Sequence, residues 1–253
     1  MVSNILELSN ITKQYKAFKL DKVSFSIGEG SICGFVGING AGKSTTVKII
    51  EGLVGKDEGV VTAFGETRLT PEIKELIGFV PDSCYFYEKR KIRDLKKSIS
   101  GMYKNWDEAA YKKYIEFFNL DENKKIGELS KGMKMQLSLT FALSHKAKLL
   151  IMDEPTSGLD PYIRNQVMSI LKEYVSDGTN SVLFSTHIMS DLEKTADKVV
   201  FIHRGKVVFE ENFDKLPELF STRYGIQWTT LDECVVACIE KIQKGETADE
   251  ERV

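Results

Sequence analysis

A short apolar run, Ser31 to Val36, empties into Gly37-Ile38-Asn39-Gly40-Ala41-Gly42-Lys43-Ser44-Thr45 and continues into the helix-forming stretch that ends near Leu53. A buried strand, a glycine loop and a helix in that order are the setting a phosphate-binding loop requires. Gly37 to Ser44 match the pattern G-x-x-x-x-G-K-[ST]. Gly40 and Gly42 let the backbone turn so that successive N–H groups face inward, at the positive end of the following helix. The cradle expected for ATP therefore runs from Gly37 through Ile38, Asn39 and Ala41 to Thr45. Lys43 would reach the β- and γ-phosphates, and the Ser44 hydroxyl would give one oxygen to Mg²⁺.

A second element fits the same chemistry. Leu149 to Pro155 read LLIMDEP, an apolar strand that ends in two carboxylates. Asp153 suits a hold on Mg²⁺, and Glu154, one residue further, suits the polarisation of an attacking water. Adjacent acids at a strand end are often only a helix cap or a surface turn. Beside a phosphate loop they become candidate catalytic groups.

Composition narrows what remains. The formal net charge is -2, so the basic surplus that a phosphate backbone selects is missing and nucleic acid is not an expected partner. Cys33, Cys84, Cys234 and Cys238 have neither a zinc spacing nor a disulfide framework, and they read as reduced thiols. The first residues, MVSNILELSN, do not read as a signal peptide, and no apolar run approaches the ~18 residues of a membrane helix. A role at a membrane would therefore require docking to another chain.

Val23, Phe25 and Ile27 alternate with polar neighbours as in a half-buried strand. Further strands are predicted at Val60 to Phe64, Ile77 to Val80, Leu149 to Met152, Val182 to Ser185 and Val199 to His203, the last turning through Arg204-Gly205 into Val207 to Phe209. Between Asp82 and His145 helix signals take over. Asn105 reads as an N-cap with Asp107 and Glu108 in the first turn, and Ala110, Tyr114, Phe117 and Phe118 as the apolar face. This predicts an α/β domain over residues 1–212, with an N-terminal antiparallel β part and a helical subdomain over about 83–146. Residues 213–253 form a short C-terminal extension whose tail, KGETADEERV, is too polar to pack and is expected to be disordered.

Six motifs in order identify the chain as similar to the ATP-binding cassette (ABC) ATPases, from about Ile5 to about Glu210. Besides the phosphate loop and acid pair, Leu129 to Met133 (LSKGM) resemble the signature sequence and Ser157 to Asp160 (SGLD) the D-loop. His187 in STH resembles the switch histidine, and Tyr15 the aromatic that stacks on adenine. The resemblance implies a P-loop NTPase with a RecA-like core. It implies a head-to-tail dimer, with a second copy or a paralogue, that sandwiches two ATPs between the phosphate loop of one subunit and the signature of the other. Glu154 would be the general base, with His187 on the γ-phosphate. Ser130 and Gly132 at a helix N-terminus suit the partner's γ-phosphate, and Asp160 followed by Pro161 caps the next helix. His145 and His203 match no functional position and read as structural.

The chain departs from the family at three places. Asp82 stands where most members carry the Q-loop glutamine, Lys131 replaces the first signature glycine and Met133 its glutamine. Aspartate can still ligate a hard cation, so Asp82 joins Ser44 and Asp153 as a candidate Mg²⁺ ligand. Such features resemble bacterial exporters with a separate membrane permease subunit, of the bacitracin, acetoin-operon and phenol-soluble-modulin types. That resemblance implies a motor at the cytoplasmic face of the cell membrane, moving drugs or amphipathic or antimicrobial peptides. Cys84 to Tyr87 would lie in the groove for the permease's coupling helix. The rival reading is a cassette ATPase outside transport, as in iron–sulfur cluster assembly.

Overall fold

In the computed structural model, which describes residues 4–83 and 85–244, β1 (Asn4–Gln14) and β2 (Lys19–Gly28) pair antiparallel. Val23, Phe25 and Ile27 of β2 face inward, as their alternation predicts. Fully buried β3 (Ile32–Val36) feeds α1 (Lys43–Ile50), and β4 (Glu58–Ala63) returns to the far side of β1. These strands complete a three-stranded sheet in the order β2-β1-β4.

Next come α2 (Pro71–Glu75) and β5 (Ile77–Val80), followed by a helical stretch of α3 (Ile92–Ser100), α4 (Glu108–Phe117) and α5 (Lys131–Ser144). Two details of α4 differ from the sequence reading. Its cap is Asp107, whose carboxylate accepts from the Ala109 and Ala110 amides, and not Asn105. Its buried side is Tyr111, Ile115 and the following Phe118, whereas Phe117 is exposed. Starting the helix two residues later rotates the stripe that meets the core.

The remainder alternates. β6 (Leu149–Asp153), α6 (Pro161–Val175), β7 (Ser181–Thr186), α7 (Met189–Leu192) and β8 (Lys198–His203) lead into β9 (Lys206–Asn212). The second sheet has the order β5-β6-β7-β3-β8-β9, parallel except for the β8–β9 hairpin. α8 (Leu216–Tyr224) and α9 (Leu231–Lys244) follow.

This sheet separates two cores. On one side Phe35, Val47 and Ile151 meet the antiparallel sheet and α1. On the other, Met152, Phe184 and Phe201 meet α3 to α9, with Leu231, Cys234, Val235 and Cys238 of α9 among the buried residues. Cys33 is buried and free as well, whereas Cys84 and the polar tail beyond Lys244 lie outside the described residues. Among the described residues no helix is long and apolar enough to cross a membrane.

Candidate active site

In an open parallel sheet, ligands bind beyond the carboxyl ends of the strands. β3 lies between β7 and β8, and β6 lies beside β7. That order brings together the loop after β3, the acids that end β6 and the histidine after β7.

The loop after β3 is shaped for close approach. Gly40 and Gly42 have φ of 80° and 118°. The φ at Gly42 favours glycine, and a Cβ there would also press on the side-chain ends of Leu20 at 2.6 Å and Phe18 at 2.9 Å. The Lys43 ammonium is buried; it donates to the Gly37 carbonyl at 2.6 Å and to that of Ile38 at 3.4 Å. It also stands 3.1 Å from the Glu154 carboxylate.

Asp153 is held at the floor. The Ser44 hydroxyl donates to its Oδ1 at 3.1 Å and the Ser185 hydroxyl at 2.6 Å. Burial raises the Asp153 carboxyl above its ordinary value, the two hydroxyls lower it, and the nearby charges of Asp82 and Glu154 raise it further. A cation among these oxygens would relieve that repulsion. Among the described residues no three His, Cys, Asp or Glu side chains form a metal cluster. A Mg²⁺ ion at Ser44 and Asp153, with Asp82 near, would therefore complete its shell from phosphate and water oxygens, as this ion commonly does.

Glu154 has φ of 51°, uncommon for a residue with a side chain. Its amide reaches both the carbonyl and the hydroxyl of Ser185, at 3.0 and 3.1 Å, which fixes the backbone there. The turn aims its carboxylate between Lys43 and His187. One oxygen faces Lys43, and the other lies 2.6 Å from His187 Nδ1 and accepts from the His187 amide at 3.3 Å.

A cavity of about 640 Å³ opens over these groups, lined by Asn39, Gly40, Gly42, Lys43, Ser44, Thr45, Asp82, Glu154 and His187. Of its other lining residues, Lys131 and Ser157 belong to the segments read as signature and D-loop, whereas Ala17, Phe18 and Ser83 escaped the sequence reading. Phe18 and Ala17 provide its apolar end, whereas Tyr15 is 41% exposed and lies outside the lining. The only signal for Phe18 was its place three residues beyond Tyr15. Ser83, Lys131 and Ser157 also line the cavity, and the Lys131 ammonium donates to the Ser157 carbonyl at 2.7 Å. Ser130 caps α5 through the Met133 amide, and Asp160 caps α6 through the Tyr162 and Ile163 amides. Neither these caps nor Gly132 lines this cavity. His145 is buried between the carbonyls of Phe141 and Ile77, away from it.

A phosphate loop after β3 with an acid pair at the end of β6, one strand away across β7, defines a P-loop nucleoside triphosphatase. The profile of the ABC transporter family matches residues 20–157, more than half of the chain, and the chain belongs to that family as an ATP-hydrolysing, ATP-binding subunit. The bacitracin transport ATP-binding protein of Bacillus licheniformis is 34% identical over 223 residues, covering 85% of this chain and 72% of the relative. The lantibiotic transport ATP-binding protein of Streptococcus pyogenes is 32% identical over 87% of this chain and 97% of its own length. A Bacillus subtilis linearmycin resistance ATP-binding protein is 35% identical, covering 81% and 68%. A solved ATP-binding subunit of an ABC transporter superimposes with a TM-score of 0.81 at 27% identity, covering 92% of this chain and 98% of that one.

Proposed function

We propose that this chain is the motor of an exporter for amphipathic or antimicrobial peptides or drugs. It acts at the cytoplasmic face of the cell membrane, bound to a separate permease subunit. The names of the bacitracin, lantibiotic and linearmycin relatives support that substrate class. Two cassettes, identical or paralogous, close head to tail over two ATPs. The phosphate loop holds the nucleotide of its own chain, and Ser130 and Gly132 face the nucleotide of the other.

Glu154 is the general base. Its carboxylate takes a proton from water as the water oxygen bonds to the γ-phosphorus and the bond to the β-phosphate oxygen breaks, releasing ADP. Lys43 and the loop amides stabilise charge on the phosphate oxygens. His187 orients the carboxylate and the γ-phosphate, and Phe18 offers the adenine an apolar surface closer to the cavity than Tyr15. Ser44, Asp153 and Asp82 would hold Mg²⁺, which would supply positive charge against the phosphates. Within the chain, residues 213–244 form an extension that braces the switch histidine.

The Glu154 carboxylate suspended between Lys43 and His187 carries this reading. Glu154→Gln should keep ATP binding, slow hydrolysis by about 10²- to 10⁴-fold and accumulate an ATP-bound dimer visible by light scattering. Turnover at the native rate would remove Glu154 from the role of base.

A further inference from the structure

The turn that follows Glu154 is tied to two helices through side chains. Thr156 is fully buried, and its hydroxyl donates to the Asp191 carboxylate of α7 at 2.7 Å. α7 begins two residues after His187, so this bond joins the turn to the switch side of the site. The second tie comes from α5. Lys131, its first residue, donates from its ammonium to the Ser157 carbonyl at 2.7 Å. The Ser157 amide in turn donates to the Glu154 carbonyl at 3.1 Å. A hydrogen-bonded path therefore runs from the N-terminus of α5 to the backbone of Glu154. Gly158 leaves room for the lysine: its φ is 73°, and a Cβ there would lie 3.3 Å from the Lys131 ammonium nitrogen.

The two ties differ in kind. Asp191 is 4% exposed, so loss of the Thr156 hydroxyl would strand a buried carboxylate. Lys131 is exposed and reaches the turn on a long flexible stem, so its bond depends on where α5 sits. A carbonyl that accepts from a cation gains a charge-assisted bond, stronger than one from a neutral donor. The glycine that Lys131 replaces in the signature could make no such bond. Lys131, Glu154 and Ser157 line the nucleotide cavity together, and they also line a smaller cavity of about 250 Å³ with Asp82 and Ser83. The tie thus belongs to the wall that both cavities share, on the Glu154 side of the nucleotide site.

We propose that Lys131 is a positioning residue for ATP hydrolysis: its ammonium holds the Ser157 carbonyl and, through that turn, sets the Glu154 carboxylate for the attacking water. The inference rests on the reading of Glu154 as the general base. It makes the base responsive to α5, because the tie closes only while the first turn of that helix lies against the segment after β6.

Steady-state hydrolysis and hydrogen exchange on the full chain test it. Lys131→Met keeps the reach of the side chain and removes the donor, whereas Lys131→Arg keeps a cation. Lys131→Met should lower kcat about 10-fold with KM for ATP within about twofold of native, and Lys131→Arg should recover most of the loss. In the nucleotide-free chain, the Ser157 and Leu159 amides, bonded to the Glu154 and Thr156 carbonyls, should exchange faster in Lys131→Met. With Glu154→Gln already in place, Lys131→Met should lower the residual rate by less than about twofold, because no base is left to position. An unchanged kcat, or a further loss of about 10-fold on top of Glu154→Gln, overturns the inference and leaves Glu154 as the base. A raised KM would assign the lysine to nucleotide binding, and recovery of Lys131→Met by Asp82→Gln would make it a counter-charge to Asp82; either result overturns the inference too. Native turnover by Glu154→Gln removes the base itself, and the inference falls with it.

Discussion

The residues that shape this chain most are those whose local cost is highest. Glu154 occupies a left-handed backbone conformation, and Glu51 keeps a carboxyl oxygen out of water with no partner. The cost at Glu51 has a definite pH dependence. Its folded-state value of about 7 lies above the ordinary 4.5, so between those values the folded chain holds a proton that the unfolded chain has released. Stability from this group is complete below about pH 4.5 and declines as pH rises through 7, by roughly 3 kcal/mol in all. Glu51→Gln should therefore melt several degrees above the native chain at pH 8, and the two should converge near pH 4.5. Melting curves by circular dichroism at both values decide it. A constant gap would assign Glu51 an ordinary titration.

At the scale of elements, the motif-bearing parts were legible and the irregular ones were not. The phosphate loop, β5 and β6 announce themselves because burial on both faces leaves unbroken apolar runs. β1 went unread because Asn10, at φ 53°, sits in a register shift that breaks the alternation between Leu8 and Ile11. Phe18 and Glu51 matter through neighbours distant in sequence, and no local pattern marks them. The C-terminal extension was similarly opaque. The Leu231 amide donates to the Glu193 carboxylate at 2.7 Å, which caps α9 from the segment just after the switch histidine. Val235 and Ile239 then share a small groove with Ile38, Asn39 and His187. Glu193→Ala should cost about 1 kcal/mol, or about 2–4 °C, by orphaning that amide. Because α9 shares that groove with His187, kcat for ATP hydrolysis should fall while KM for ATP holds. An unchanged kcat would make α9 a purely structural addition.

For the whole molecule, the placement of Ser130 and Gly132 outside the lining of the nucleotide cavity bears on assembly. If the signature works across a dimer, mixing Ser130→Arg chains with Glu154→Gln chains should restore activity that neither has alone. Random pairing makes half of the dimers mixed, each with one intact composite site, so recovery should approach about a quarter of the native rate. An additive baseline, with no recovery on mixing, would place the whole reaction within one chain. The brace at Glu193 has a further consequence, in the order of synthesis. A ribosome delivers His187 well before the helix that steadies it, and at about 5–20 residues per second the interval lasts roughly 2–10 s. During that time the emerging cassette has its phosphate loop and its acid pair, while the α9 side of the groove beside His187 has yet to be made.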